Sequence, residues 1–87
     1  MEARCSKSNR NVLTHELLIE DKYFNDIKSG IKKFEIRRNN RDYCVGNVLA
    51  LENIKTKEVI RKEIKYITDV SIYDLPNILI LGIKWNN

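Results

Sequence analysis

Five stretches of this 87-residue chain carry the patterning of β-strands, and only one carries the spacing of a helix. Five short strands in so small a chain leave costly open edges unless the sheet curls round on itself. The economical solution is a mainly β (α+β) domain: a small, partly closed, five-stranded β-barrel, with one helix after the first strand plugging an end.

The stretch "VLTHELLIE", residues 12–20, predicts the first strand. Leu13, His15, Leu17 and Ile19 share one face, and Thr14, Glu16 and Leu18 share the other. "DKYFNDIKSG", residues 21–30, changes to helical spacing. Asp21 is placed to cap its start, and Tyr23, Phe24 and Ile27 form an apolar stripe. Gly30 stands where this pattern stops, so a positive φ is expected there, a conformation that a β-carbon disfavours. "KKFEIRR", residues 32–38, returns to period two, which predicts Phe34 and Ile36 inward and Lys33, Glu35 and Arg37 on the opposite face. The loop "NNRDYCVGN" ends in a turn at Val45-Gly46. "VLALEN" then reads as the third strand and Val59–Thr68 as a long fourth. "DVSIYDLPN" reads as a loop holding Pro76. "ILILGIKW" closes the chain as an apolar strand expected to be buried on both faces. Residues 1–11 lack periodicity and carry Arg4, Lys7 and Arg10. They read as a flexible basic tail, dispensable for folding, ahead of a single domain over 12–87.

A hydrophobic fraction of 43% with 32% charged residues suits a globular domain rather than a disordered chain. A chain of this length buries roughly 60% of the surface that its unfolded form exposes, so the core is modest. No run approaches the ~18 apolar residues of a membrane span, and the start has no apolar segment of a secretory signal. Cys5 and Cys44 are the only cysteines, too few for a disulfide framework or a zinc quartet. A cytoplasmic protein with reduced thiols and no metal or cofactor is expected. The formal charge of +4 and pI near 9.2 favour anionic partners, nucleic acid among them.

The densest charge lies in "GIKKFEIRRNNRDYCVGN", residues 30–47. Glu35 and Arg37 stand two apart on one strand, so their side chains point the same way. They form either a surface ion pair worth at most about 1 kcal/mol, or a site in which Glu35 orients Arg37 to grip a phosphate through two parallel N–H bonds. Parity groups Lys33 with them and places Lys32 with Phe34, unless the turn after Gly30 re-aims it. Arg38, Arg41 and Tyr43 supply cations and an aromatic ring, a pairing suited to single-stranded nucleic acid, where guanidinium groups meet phosphates and rings stack on bases. The alternative is a solvated turn with Tyr43 packed on the barrel. His15, the only histidine, fits a packed core position better than a catalytic one. Trp85 reads as an anchor closing the barrel. No serine–histidine–acid order, phosphate-binding glycine loop or cluster of carboxylates appears.

The ordered set His15-Glu16-Leu17, Tyr23-Phe24, Gly30-Ile31-Lys32-Lys33-Phe34-Glu35-Ile36-Arg37, Asn39-Asn40-Arg41-Asp42 and Val45-Gly46-Asn47, with the ending "LGIKW", resembles the ASCH-type domains of the PUA-like superfamily. Over roughly residues 14–84 it is most similar to the small DUF3850 group of bacteria and their phages. Asn40 and Asn47 stand where the group's pattern has aspartates, which leaves the loop more positive. The resemblance implies a PUA-like barrel with a cleft between the helix and the second-strand loop, and RNA binding as the usual role. It also assigns Lys32 to the site. Some ASCH proteins are nucleases or amidohydrolases, so fold alone does not decide the activity.

The best expectation is an RNA-binding module in which Lys32, Lys33, Arg37, Arg38 and Arg41 hold phosphate and Tyr43 stacks on a base. The alternatives are a ribonuclease or modified-nucleoside amidohydrolase with Lys32 and Glu35 as reactive groups, and a phage-type inhibitor that sets the basic face against an acidic protein.

Overall fold

In the computed structural model, which describes residues 12–84, strand β1 (Thr14–Ile19) leads into helix α1 (Asp21–Lys28). Then follow β2 (Phe34–Arg38), β3 (Val48–Asn53), β4 (Val59–Val70), a single 3-10 turn at Ser71–Tyr73, and β5 (Leu75–Ile83). Residues 1–11, expected to be a flexible tail, and Trp85, expected to be an anchor, lie outside the described residues.

The five strands form one sheet in the order β1-β3-β4-β5-β2, curled into a half-barrel with the single helix after the first strand. β3, β4 and β5 make an antiparallel meander. β1 is added to it in parallel alongside β3, and β2 is added antiparallel alongside β5. The curl has a local cause. β4 is 12 residues long and pairs first with β3, then with β5. Its register slips between Ile64 and Tyr66, and a bulge of this kind bends a strand and increases its twist.

The concave side holds the core. Leu17, Ile19, Leu49, Leu51, Ile64, Leu79, Leu81 and Ile83 line it, and Phe24 and Ile27 of α1 pack over it. β1 alternates as its sequence predicts, with His15, Leu17 and Ile19 buried. Of the helical stripe only Phe24 and Ile27 are buried; Tyr23 lies at the surface. Asp21 is the first residue of α1 rather than its cap. Its carboxylate accepts from Asn53 Nδ2 at 2.9 Å, tying the helix start to the end of β3. That bond is the main reason why the Asp21 carboxyl sits below its ordinary range.

Gly30 has a φ of 87° and Gly46 a φ of 97°, so both turns use the left-handed backbone that glycine alone adopts freely. After Gly30 the chain folds back, and the Lys32 N–H bonds to the Asp26 carbonyl at 2.9 Å. The segment 69–77 is not a loop. β4 continues to Val70 and β5 starts at Leu75, with an irregular register between them. Pairing along this hairpin joins Val70 to Leu75 and Asp69 to Leu79, and the β5 positions 76–78 between them have no β4 partner.

The largest correction concerns β2. Parity is as expected, but the faces are reversed. Phe34 and Ile36 are 41% and 52% exposed, while Glu35 is only 4% exposed. The register explains the reversal: Glu35 lies opposite Leu81 and Arg37 opposite Leu79, both core residues, and residues directly opposite one another share a face.

Candidate functional site

The reversal sends Glu35 and Arg37 into the mouth of the half-barrel. A buried carboxylate there is costly unless it is paired and hydrogen-bonded. Here it is both. Lys32 Nζ donates to Glu35 Oε1 at 3.1 Å. Arg37 Nε donates to Oε2 at 2.9 Å, and Arg37 Nη2 reaches the same oxygen at 2.8 Å. The turn after Gly30 thus re-aims Lys32, against strand parity. Its ammonium also sits 4.7 Å from the centre of the Tyr23 ring and 5.3 Å from that of Phe34. Burial makes removal of one partner far more costly here than in the surface ion pair of the plain sequence reading.

Arg37 has a second task. Its Nη2 donates to the Leu18 carbonyl at 2.8 Å. β1 and β2 are the two edge strands, so this side chain bridges the open margins of the sheet. Arg37 thus commits Nε and Nη2 to Glu35 and Leu18. Glu35 does orient Arg37, as expected. With both oxygens engaged by cations, Glu35 fixes Lys32 and Arg37 in place. Lys32 is held by this carboxylate and lies against two rings.

Beside this triad lies a cleft of about 310 Å³, lined by Leu17 of β1, Ile36, Arg37 and Arg38 of β2, and Asn40, Arg41 and Tyr43 of the following loop. The cleft expected between α1 and the second-strand loop lies instead between β1 and that loop, since no α1 residue lines it. Arg37, Arg38 and Arg41 meet there. Lys33 is exposed and lies outside the lining. Asn40, which the sequence marks only as a missing aspartate, belongs to the wall.

Tyr43 does not offer a stacking surface. It is 2% exposed, and its ring packs on His15 with centroids 4.6 Å apart. Burial pushes its phenol above the ordinary 10.0, partly offset by the charges of Arg41 and Arg37. The folded state therefore holds this proton more tightly than the unfolded chain. The resulting stability is present below the unfolded value and is lost as pH rises through the folded one. Melting temperature measured from about pH 9 to about pH 11.5 should fall less steeply for Tyr43→Phe than for the unaltered protein. Equal slopes would show that Tyr43 ionises as freely folded as unfolded.

His15 is the packed core histidine that the sequence favours. Its Nε2 pairs with Asn47 Oδ1 at 2.9 Å, and the same oxygen accepts the Cys44 N–H at 3.0 Å. Asn47 is thus a buried acceptor closing the turn at Gly46, a role that an aspartate would also fill. Cys44 is buried beside this pair; Cys5, the other cysteine, lies outside the described residues.

The family model for a domain of unknown function, DUF3850, matches residues 14–83. The chain belongs to the DUF3850 family. Comparison with curated proteins finds no match. In this DUF3850 domain the matched span contains the Lys32–Glu35–Arg37 triad, the cleft and the His15–Asn47 pair. No helix among the described residues is long and apolar enough to cross a membrane.

Proposed function

We propose that this DUF3850 domain is a small RNA-binding module that holds the nucleic-acid backbone in the cleft between β1 and the β2 loop. One observation carries this reading: Arg37, Arg38 and Arg41 converge on a cleft whose lining includes no carboxylate. The nearest acid in the triad, Glu35, is buried and already neutralised by Lys32 and Arg37. Such a concavity attracts anions. Guanidinium groups also match the paired oxygens of a phosphate. Arg37 gives the wall a fixed positive edge, while Arg38 and Arg41, both exposed, supply the contacts.

The test is the salt dependence of binding to single-stranded RNA. Each phosphate contact contributes about 0.7 to the slope of log affinity against log salt on a single strand. Arg38→Ala and Arg41→Ala should each weaken binding and make the slope shallower by about that amount. A folded double variant with unchanged affinity and slope would overturn the reading. Cleavage of the RNA by the unaltered protein would replace it with the ribonuclease reading.

A further inference from the structure

With Tyr43 buried, the cleft lacks the exposed ring that single-stranded nucleic acid favours. The rings lie elsewhere. Phe34 on β2 and Tyr66 on β4 both stand opposite Gly82 of β5, so the three form one row across the convex side of the sheet. Phe34 is 41% and Tyr66 62% exposed. Gly82 keeps the floor between them low, since a β-carbon there would lie 3.2 Å from Tyr66 Cβ. Their backbones stand two strand spacings apart, about 9–10 Å, which leaves room for a flat base to lie against either ring.

The same face leads to the cleft. Ile36 opposite Ile80 forms the next row, and Arg38 opposite Ile78 the one after it. Arg38 also lines the cleft. From Arg38 to Phe34 is four residues of strand, about 13 Å. None of these paired positions carries a carboxylate, and Arg38 is the only charge among them. The other half of the convex side is different: β1, β3 and β4 place Glu16, Glu52 and Glu63 there, against Arg61. Charge thus selects one half of the sheet for a polyanion.

We propose that the convex face of β2-β5-β4 is a base-stacking platform for single-stranded RNA, with Phe34 and Tyr66 as the stacking rings and Arg38 joining it to the cleft. The platform rests on the RNA reading of the cleft and adds the surface that takes the bases. Lys32, 5.3 Å from the Phe34 ring centre, sets a cation beside the first stacking position. Stacking accepts any base, so the platform contributes affinity with little sequence preference.

The experiment uses a fluorescent single-stranded RNA of about 12 nucleotides, within the ~4–16 nucleotide footprints of such surfaces. A second copy carries 2-aminopurine, whose emission reports stacking. Phe34→Ala and Tyr66→Ala should each weaken binding roughly 5- to 150-fold. The salt slope should not change, because no cation is removed. The 2-aminopurine response should shrink in parallel. Phe34→Leu and Tyr66→Leu, which keep apolar bulk and remove the ring, should show the same loss, so a folding defect in the alanine variants does not decide the outcome. If ring variants bind as tightly as the unaltered protein while Arg41→Ala still flattens the salt slope, the platform is overturned and the cleft reading stands. If the unaltered protein binds no RNA, both fall. If it sediments as a dimer that Phe34→Ala splits, the face serves a protein partner and the platform is overturned.

Discussion

Replacing Glu35 by alanine is expected to lower the melting temperature by more than 10 °C. The carboxylate is the shared acceptor of Lys32 and Arg37, whose side chains are themselves only 17% and 23% exposed. Removing one partner of a buried pair costs about 3–5 kcal/mol, because the remaining charge stays desolvated without compensation. The partial exposure of both cations argues for the lower end, about 3 kcal/mol. A domain of this length shifts by roughly 4–8 °C per kcal/mol. The variant also frees Arg37 from the geometry that carries it to the Leu18 carbonyl, so the contact between the two sheet edges weakens with it. A loss of only about 3 °C or less would mean that the triad is a surface ion pair after all. Glu35→Gln keeps an acceptor in place and separates the functional readings. In a binder it leaves RNA affinity intact or raises it. In a hydrolase using Glu35 as base it would reduce turnover by about 100- to 10,000-fold.

Asn47→Ala carries the second large effect. The Asn47 side-chain oxygen serves two donors at once, the buried His15 ring and the Cys44 backbone N–H. Alanine leaves both without a partner in a site with little access to water. Each orphaned group costs about 1–3 kcal/mol, so a loss of about 2–6 kcal/mol is expected in urea unfolding. Asn47→Asp retains the acceptor and should lose far less. If the alanine and aspartate variants unfold at the same urea concentration, the shared oxygen is not what holds the turn against β1.

The plan of this domain was legible where a residue's local chemistry admits one answer. Period two over Leu13–Ile19 placed His15 and Leu17 inside, Gly30 marked a left-handed turn, and Gly46 marked the turn into β3. The site was harder to read for a physical reason. Periodicity assigns the residues of β2 to two sets but does not say which set faces the core. The usual preference puts Phe34 and Ile36 inside. Here the charged set is inside, because Lys32, brought round by the Gly30 turn, completes the neutralisation of Glu35. That contact joins residues across a turn, and no spacing rule encodes it. The sequence leaves Tyr43 between stacking on a base and packing on the barrel for a related reason: its packing partner, His15, is distant in sequence and adjacent only in the folded sheet. The start of β5 is hidden in the sequence because Pro76 signals a break, whereas the strand begins at Leu75 across an irregular register with β4.

The strand order also has a consequence for the time course of folding. β3, β4 and β5 are consecutive in the chain and adjacent in the sheet, so short hairpins close them at small cost in chain entropy. β1 and β2 come earlier in the chain yet occupy opposite margins. β1 finds β3 only after the chain from Glu20 to Asn47 has been looped out. Contacts that close such long loops form late. The meander is therefore expected to make the nucleus, with the margins, the Arg37 bridge and the cleft between them assembling on it afterwards. Truncating Leu51 should slow refolding, whereas Ile19→Val should act mainly by hastening unfolding. The reverse pattern in stopped-flow kinetics would place β1 in the nucleus. On this order, the cleft is the last part of the molecule to form and the first to open.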